Sequence, residues 1–119
     1  RHGNSQPWNP HSYGVGQSAE GVNDGQEMWD ELIAQRGKVL AVLCGHVLND
    51  GLGYAISQGA GPVHQILANY QMNTDGGEGF LRIVRFNPTA RRVDVLTYSP
   101  WLDTYKTDPA NFFSFSYSY

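Results

Sequence analysis

The sequence predicts a mixed fold of the α+β or α/β class, with one main helix followed by a strand-rich C-terminal part. Three observations support this prediction. Apolar residues recur at helical spacing before position 37, an uninterrupted apolar run fills positions 39–43, and strand-forming residues fill positions 80–86 and 92–98. Glycine (14) and tyrosine (7) are abundant while charged residues make up only 16%, which favours strands and structured loops over a helix bundle.

Size and charge limit the classes of function. A length of 119 residues suits one small domain or the last part of a larger one. The formal net charge of −3 offers no electrostatic basis for a nucleic-acid surface or an anionic membrane, and no apolar stretch is long enough to span a bilayer. The single Cys44 is expected to be a small buried core residue. Because the chain starts at Arg1 without a methionine, its lack of a signal peptide says little about its compartment.

The chain divides into an irregular N-terminal loop, residues 1–22, and a structured part, residues 23–119. The first segment contains Pro7, Pro10 and four glycines without any periodicity.

A helix is predicted to begin at residue 23 or 24. Asn23 or Asp24 caps it, and Glu27 in the first turn favours the helix dipole. Gly37 is expected to end it. The residues expected to share its apolar face are Met28, Trp29, Leu32 and Ile33.

The apolar run at 39–43 predicts a buried strand, which ends at Cys44, Gly45 and His46. Gly45 is expected to permit a sharp turn. The turn would deliver the His46 imidazole to the edge of a sheet, where open α/β folds place their ligand sites.

Further strands are predicted downstream, at 54–57, 63–70 and 80–86, with 92–98 pairing back on 80–86 as a hairpin. Segments 73–79 and 101–111 are predicted loops, and 112–119 an edge strand or a tail. Because the hairpin carries apolar residues in both directions, both faces of its sheet are expected to be covered.

Several short motifs accompany this order of elements. They are Gly45-His46, Val63-His64-Gln65 through Asn69-Tyr70-Gln71, Gly76-Gly77-Glu78-Gly79-Phe80-Leu81-Arg82, and Thr97-Tyr98-Ser99-Pro100. Together they resemble the C-terminal portion of a calcineurin-like metallophosphoesterase domain of the secreted bacterial type, and the resemblance covers roughly residues 23–110.

The resemblance implies a partial β-sandwich with αββα layering and a dinuclear centre of divalent zinc, iron or manganese. The implied reaction is hydrolysis of phosphate mono- or diesters, and secreted or periplasmic location is favoured. Of the five ligand blocks of the family, only the last, Gly-His-x-His, is present, as Gly45-His46-Val47-Leu48. His46 is therefore the implied metal ligand. Leu48 replaces the second histidine, so either Asn49 or Asp50 completes the site or one metal is bound less tightly.

The remaining ligands are implied to lie in a missing N-terminal part of the same domain, which makes the chain inactive in isolation. His11 is an alternative source of the lone-histidine block, but its context is that of a loop. An Asp-x-His and a Gly-Asn-His-Asp/Glu block upstream of Arg1 would identify the parent protein.

Other chemically capable residues have simpler interpretations. His64 lies within a predicted strand and is expected to be a core or edge histidine. Acidic side chains in the loops are expected to be solvated. The arginines near the hairpin could attract a phosphate, but solvation or pairing with Asp94 is the expectation. These residues are Asp75, Glu78, Asp103 and Asp108, and Arg82, Arg85, Arg91 and Arg92.

The aromatic residues suggest an alternative function, a non-catalytic β-rich module that binds a glycan or a protein. Such residues also cover cores and fill interfaces. Pairing of an edge strand from Phe112 with a second copy would make the chain an assembly piece instead. The aromatics considered are Trp8, Tyr13, Trp101, Tyr105, Phe112, Phe113, Phe115 and Tyr117.

Overall fold

The computed structural model describes residues 23–46 and 52–118. The predicted loop 1–22, including His11, and Leu48, Asn49 and Asp50 lie outside the described residues. The elements are α1 (Gly25–Met28), a π-helical segment (Trp29–Ile33), β1 (Ala41–Cys44), β2 (Leu52–Gln58), β3 (Pro62–Ala68), α2 (Thr74–Gly77), β4 (Leu81–Asn87), β5 (Arg92–Ser99), β6 (Thr104–Lys106) and β7 (Phe113–Ser116). The fold contains helices and many strands, which confirms the general mixed class that the sequence predicts.

The helix begins as its sequence predicts. The Asp24 carboxylate accepts hydrogen bonds from the backbone N–H groups of Gln26 and Glu27, both at 2.8 Å. The Glu27 side chain in turn accepts from the backbone N–H of Asp24 at 2.8 Å, which completes a capping box.

The end and the apolar face of the helix differ from the prediction. Helical structure stops at Ile33, before Gly37. Gly59 then approaches Ala34 so closely that a β-carbon would lie 2.8 Å from its Cα, so only glycine fits there. Of the expected apolar face, Trp29 is buried, whereas Met28 and Leu32 are 51% and 54% exposed.

Strands β1, β3 and β2 form one sheet in that order, called here the β3 sheet. Five consecutive residues of β3, from Val63 to Leu67, are buried, as expected for a strand with both sides covered. In β1 the prediction of a buried strand is wrong at Leu43, which is 62% exposed. Cys44 is a free thiol of intermediate exposure, so the prediction of a buried core cysteine is also wrong.

The second sheet, called here the β5 sheet, is built around β5. All of β4 pairs antiparallel with β5, from Leu81 opposite Tyr98 to Asn87 opposite Arg92, which confirms the hairpin. On the other edge, β6 pairs with residues 97–99 and β7 with residues 92–95. β6 lies in a segment predicted as loop, while β7 confirms the predicted strand near the C-terminus.

Burial alternates along β5. Val93, Val95, Thr97 and Ser99 are at most 1% exposed, and the residues between them are half-buried. The face opposite these residues, called here the open face, includes Leu81 (44% exposed), Tyr105 (51%) and Phe112 (52%). The prediction that both faces are covered is therefore wrong for the described residues.

Residue contacts divide the described chain into two compact units. One contains residues 23–42 and 56–65, and the other contains 43–46, 52–55 and 66–118. His46 and the whole β5 sheet belong to the second unit. Across the described ranges, no helix has the length and apolar character that a bilayer crossing requires.

Candidate functional site

His46 lies two residues beyond the end of β1 and its side chain is exposed. Its backbone is in the left-handed region, with φ at 61°, a conformation that is uncommon outside glycine. The residue that bends the chain here is therefore His46, since Gly45 is not among the residues with positive φ. This local conformation sets the direction of the imidazole.

Among the described residues, the His46 ring has one hydrogen-bond partner. Its Nδ1 lies 3.3 Å from Oε1 of Gln71. In the tautomer that carries the proton on Nδ1, the imidazole donates to Gln71 and the lone pair of Nε2 remains available. Metal-binding histidines commonly have this arrangement, in which one ring nitrogen is held by an oxygen acceptor while the other binds the metal.

A neutral imidazole suits zinc, iron or manganese, so His46 fits the chemistry of a ligand. Within residues 23–46 and 52–118, however, no three His, Cys, Asp or Glu side chains are grouped closely enough to hold a metal ion. The described part of the chain thus offers one candidate ligand, whereas a catalytic site usually takes at least three from the protein.

Arg82 forms hydrogen bonds with several segments of the second unit. Its guanidinium donates to the carbonyl oxygens of Leu67 (3.3 Å) and Ala110 (2.9 Å). It also donates to the hydroxyl of Tyr70 (3.1 Å) and to Oγ1 of Thr97 (3.4 Å). Its Cζ lies 5.8 Å from the centroid of the Phe113 ring. The expectation that Arg82 is solvated or paired with Asp94 is therefore wrong.

Asn111 connects this cluster to a carboxylate. Its Oδ1 accepts from Nη2 of Arg82 at 3.2 Å and from the Tyr70 hydroxyl at 3.1 Å. Its Nδ2 donates to both oxygens of Asp108, at 3.0 and 2.8 Å. This hydrogen bond is the main cause of the lowered pKa of Asp108. The Arg82 cluster, defined as Arg82, Tyr70, Thr97, Asn111 and Asp108, joins segments that are far apart in sequence.

The glycine-rich segment after β3 packs beside this cluster. Consecutive residues from Asp75 to Glu78 and on to Gly79 all have positive φ. At Gly77, a β-carbon would lie 3.2 Å from the carbonyl oxygen of Tyr70. The carbonyl of Glu78 accepts a 2.6 Å hydrogen bond from the Ser99 hydroxyl. Several motif residues downstream of His46 thus contact each other and hold loops onto the β5 sheet, among them Tyr70, Gly77, Glu78, Arg82, Thr97 and Ser99.

The simpler interpretations of other residues are partly confirmed. His64 is 6% exposed, and burial lowers its pKa, as expected of a core histidine. Arg92 pairs with Asp94 at 2.6 Å. Asp103 accepts a 2.8 Å hydrogen bond from the Tyr98 hydroxyl, which is the main cause of the raised pKa of Tyr98.

The aromatic residues separate into two groups. Trp101 is 79% exposed, and Tyr105 and Phe112 are about half exposed. Phe115 is 8% exposed and belongs to the core. Phe113 and Tyr117 are half-buried. Trp8 and Tyr13 lie outside the described residues.

The Arg82 cluster was not predicted, because its members are spread over residues 70–111 and hydrogen-bond only after the strands pair. One signal was available. In the predicted hairpin, Arg82 stands on the same side as Val84, a position from which a guanidinium needs buried acceptors.

Comparison with known proteins finds one similar sequence, and this similarity indicates no particular activity for the chain. The uncharacterized protein YvnB of Bacillus subtilis (strain 168) is 34% identical to the chain over 97 residues. The match covers 71% of this chain and 7% of YvnB, so the chain spans a small portion of the relative's length. No family model matches the chain. No solved structure matches it.

Proposed function

We propose that the chain is the C-terminal part of a calcineurin-like metallophosphoesterase domain and that His46 is one ligand of its dinuclear zinc, iron or manganese centre. The proposed substrates are phosphate mono- or diesters, and the proposed location is secreted or periplasmic. The observation that carries the proposal is the His46 imidazole, exposed just beyond β1 with its Nδ1 beside Oε1 of Gln71.

The roles of these two residues follow from their positions. Gln71 holds the ring and favours the tautomer in which Nε2 is unprotonated, while His46 supplies that nitrogen as a ligand. A pair of bound metal ions would supply a clamp for the phosphoryl group and charge stabilisation for the attacking and leaving oxygens. Asn49 or Asp50 remains the proposed replacement for the histidine that Leu48 displaces, with a weaker second metal as the other proposal.

The Arg82 cluster has a different role under this proposal. Its guanidinium already donates to neutral oxygens of the chain itself, so it stabilises the loops that follow β3 and β5 rather than binding substrate. The loop after β3 contains Gln71. We therefore expect the cluster to act on the metal site by holding Gln71 in place.

The proposal predicts that the chain alone has no phosphatase activity. With Mn²⁺ or Zn²⁺ and p-nitrophenyl phosphate, we expect no turnover above buffer, since one ligand does not hold a catalytic metal. If the chain alone hydrolyses p-nitrophenyl phosphate and His46→Ala abolishes that hydrolysis, the proposal that its metal site is incomplete is contradicted.

A longer protein tests the assignment itself. The coding region upstream of Arg1 should carry the Asp-x-His and Gly-Asn-His-Asp/Glu blocks, and the protein that includes it should hydrolyse phosphoesters when metal is present. We expect His46→Ala to lower kcat/KM by at least roughly 100-fold and Gln71→Leu by roughly tenfold or more. Arg91→Gln is the control, because Arg91 is exposed and lies outside both the proposed metal site and the groove of the β5 sheet. Unchanged activity in His46→Ala would contradict the proposal.

A second candidate function is a non-catalytic module that binds a glycan or a protein. It is favoured by the exposure of Trp101, Tyr105 and Phe112, since exposed aromatic groups mark binding surfaces. Saturable glycan binding that survives His46→Ala would support it, and loss of binding in that variant would contradict it.

A further inference from the structure

The open face of the β5 sheet contains a groove that the metal-site proposal does not use. Its volume is about 390 Å³, within the range of small-molecule sites. It lies entirely within the second unit and includes neither His46 nor Gln71. The residues that line it and bear on its chemistry are Arg85, Arg92, Asp94, Leu96, Phe112 and Ser114.

The charges of the groove leave one cation available. Nε of Arg92 pairs with Oδ1 of Asp94 at 2.6 Å, so these two charges neutralise each other. Arg85 stands directly opposite Asp94 in the β4–β5 register, but it forms no hydrogen bond or ion pair with any described residue. A guanidinium of this kind matches a carboxylate, which it can bind through two parallel hydrogen bonds.

The sign and size of the net charge narrow the ligand class. Two arginines and one aspartate give the lining a net charge of one positive unit, which suits one singly charged group of a ligand. A phosphate monoester carries about two negative charges at neutral pH, so the Asp94 carboxylate opposite Arg85 repels it more strongly than it repels a carboxylate. The groove therefore favours a carboxylate over a phosphate.

The uncharged part of the lining favours a ring that is apolar on its faces and polar at its rim. Phe112 is 52% exposed beside the groove, and Leu96 adds apolar surface. Ser114 and the second oxygen of Asp94 can exchange hydrogen bonds with hydroxyl groups. A sugar ring has this character, with C–H faces that pack on an aromatic ring and hydroxyls at its edge.

We propose that this groove binds a carboxylate-bearing sugar, a uronic acid residue of an acidic saccharide. Arg85 binds the carboxylate, Phe112 packs against the ring, and Ser114 with Asp94 orients the hydroxyls. The proposal rests on the second candidate function, for which it names the ligand class and the site.

The test is titration of the chain with trigalacturonate, followed by calorimetry and by backbone amide shifts in NMR. We expect saturable binding, with shifts confined to β4, β5, β7 and Phe112, and much weaker binding of the neutral trisaccharide maltotriose. Arg85→Gln should weaken trigalacturonate binding by roughly tenfold or more, as expected for the loss of a charge-assisted pair. Arg91→Gln removes an equal charge from an exposed position outside the groove lining and should change the affinity by less than about twofold.

Four results would overturn the proposal, and the first three concern acidic ligands. These three are absence of saturable trigalacturonate binding, equal binding by wild type and Arg85→Gln, and competition by inorganic phosphate at lower concentration than galacturonate. The fourth result is binding of maltotriose that is abolished by Trp101→Ala but unchanged by Arg85→Gln. It would contradict the groove as the binding site while supporting the second candidate function. The metal-site proposal is tested independently of this one, because its test measures hydrolysis that depends on His46.

Discussion

Strands β3 and β5 each lie in the middle of a sheet, yet their burial differs. β3 is buried without interruption from Val63 to Leu67. β5 is buried only at alternate residues, with Val93 and Val95 inside and Asp94 between them at the surface. A continuous buried run is typical of a strand covered on both sides, and alternation is typical of a half-solvated sheet. The β5 sheet can therefore present a groove on its open face.

A second contrast separates the polar residues. Arg82 lies among acceptors from several segments and is satisfied by them. His46 is exposed and is held at one ring nitrogen. Among the described residues, every buried side-chain nitrogen and oxygen has a hydrogen-bond partner, so the Arg82 cluster is complete as a structural element. His46 retains bonding capacity, which is the property that a ligand requires.

The largest expected effect is on the Arg82 cluster. Arg82→Met removes the donors to Thr97 and Ala110, and Thr97 is fully buried. We expect a loss of about 3 kcal/mol in the free energy of unfolding, because buried acceptors lose a charged donor. Urea denaturation followed by circular dichroism measures it.

Arg85→Met provides the matched control. It is the same substitution three positions further along β4, on the same face as Asp94 and opposite to Arg82. Arg85 is exposed and forms no hydrogen bond with described residues. We expect a change of no more than about 0.5 kcal/mol. Equal destabilisation by both variants would show that the cluster contributes nothing specific.

A smaller effect is expected in the glycine-rich segment, where two neighbouring glycines differ. Gly77 has φ at 122° and a β-carbon there would lie 3.2 Å from the Tyr70 carbonyl oxygen, whereas Gly76 has φ at 73° with nothing within 4 Å. Gly76→Ala should cost about 1 kcal/mol from backbone strain alone. Gly77→Ala should cost about 2 kcal/mol or more, since crowding adds to the strain. Thermal unfolding of both variants measures the difference, and equal costs would contradict the packing against Tyr70.

The smallest effect concerns His64 within β3. Burial lowers its folded-state pKa, so between that value and the unfolded value of about 6.5 the unfolded chain binds more protons. Protonation of His64 therefore does not affect the free energy of unfolding above about pH 6.5, and it lowers that free energy increasingly as the pH falls below this value. Denaturation of wild type and His64→Gln from pH 5 to 8 isolates this contribution. Parallel pH profiles would contradict the buried, neutral state of His64.

Local features were the predictable part of this molecule. The Asp24 cap with Glu27, and the hairpin of β4 and β5 around the turn at 88–91, depend on residues close in sequence. Non-local features were missed. β6 has three residues next to a left-handed Asp103, so its sequence resembles a loop until β5 offers a partner. The role of Arg82 depends on acceptors as distant as Ala110, and the bend beyond β1 falls on His46 rather than on the adjacent glycine.

The most direct test of the account is NMR of the histidine rings during titration with Mn²⁺, whose paramagnetism broadens nearby signals. We expect the His46 ring to be protonated at Nδ1 before metal is added, and its signals to broaden at lower metal concentration than those of the other histidines. Gln71→Leu should raise the concentration required, while buried His64 should broaden last. A His46 ring protonated at Nε2, or one that broadens no earlier than His64, would contradict its assignment as a metal ligand.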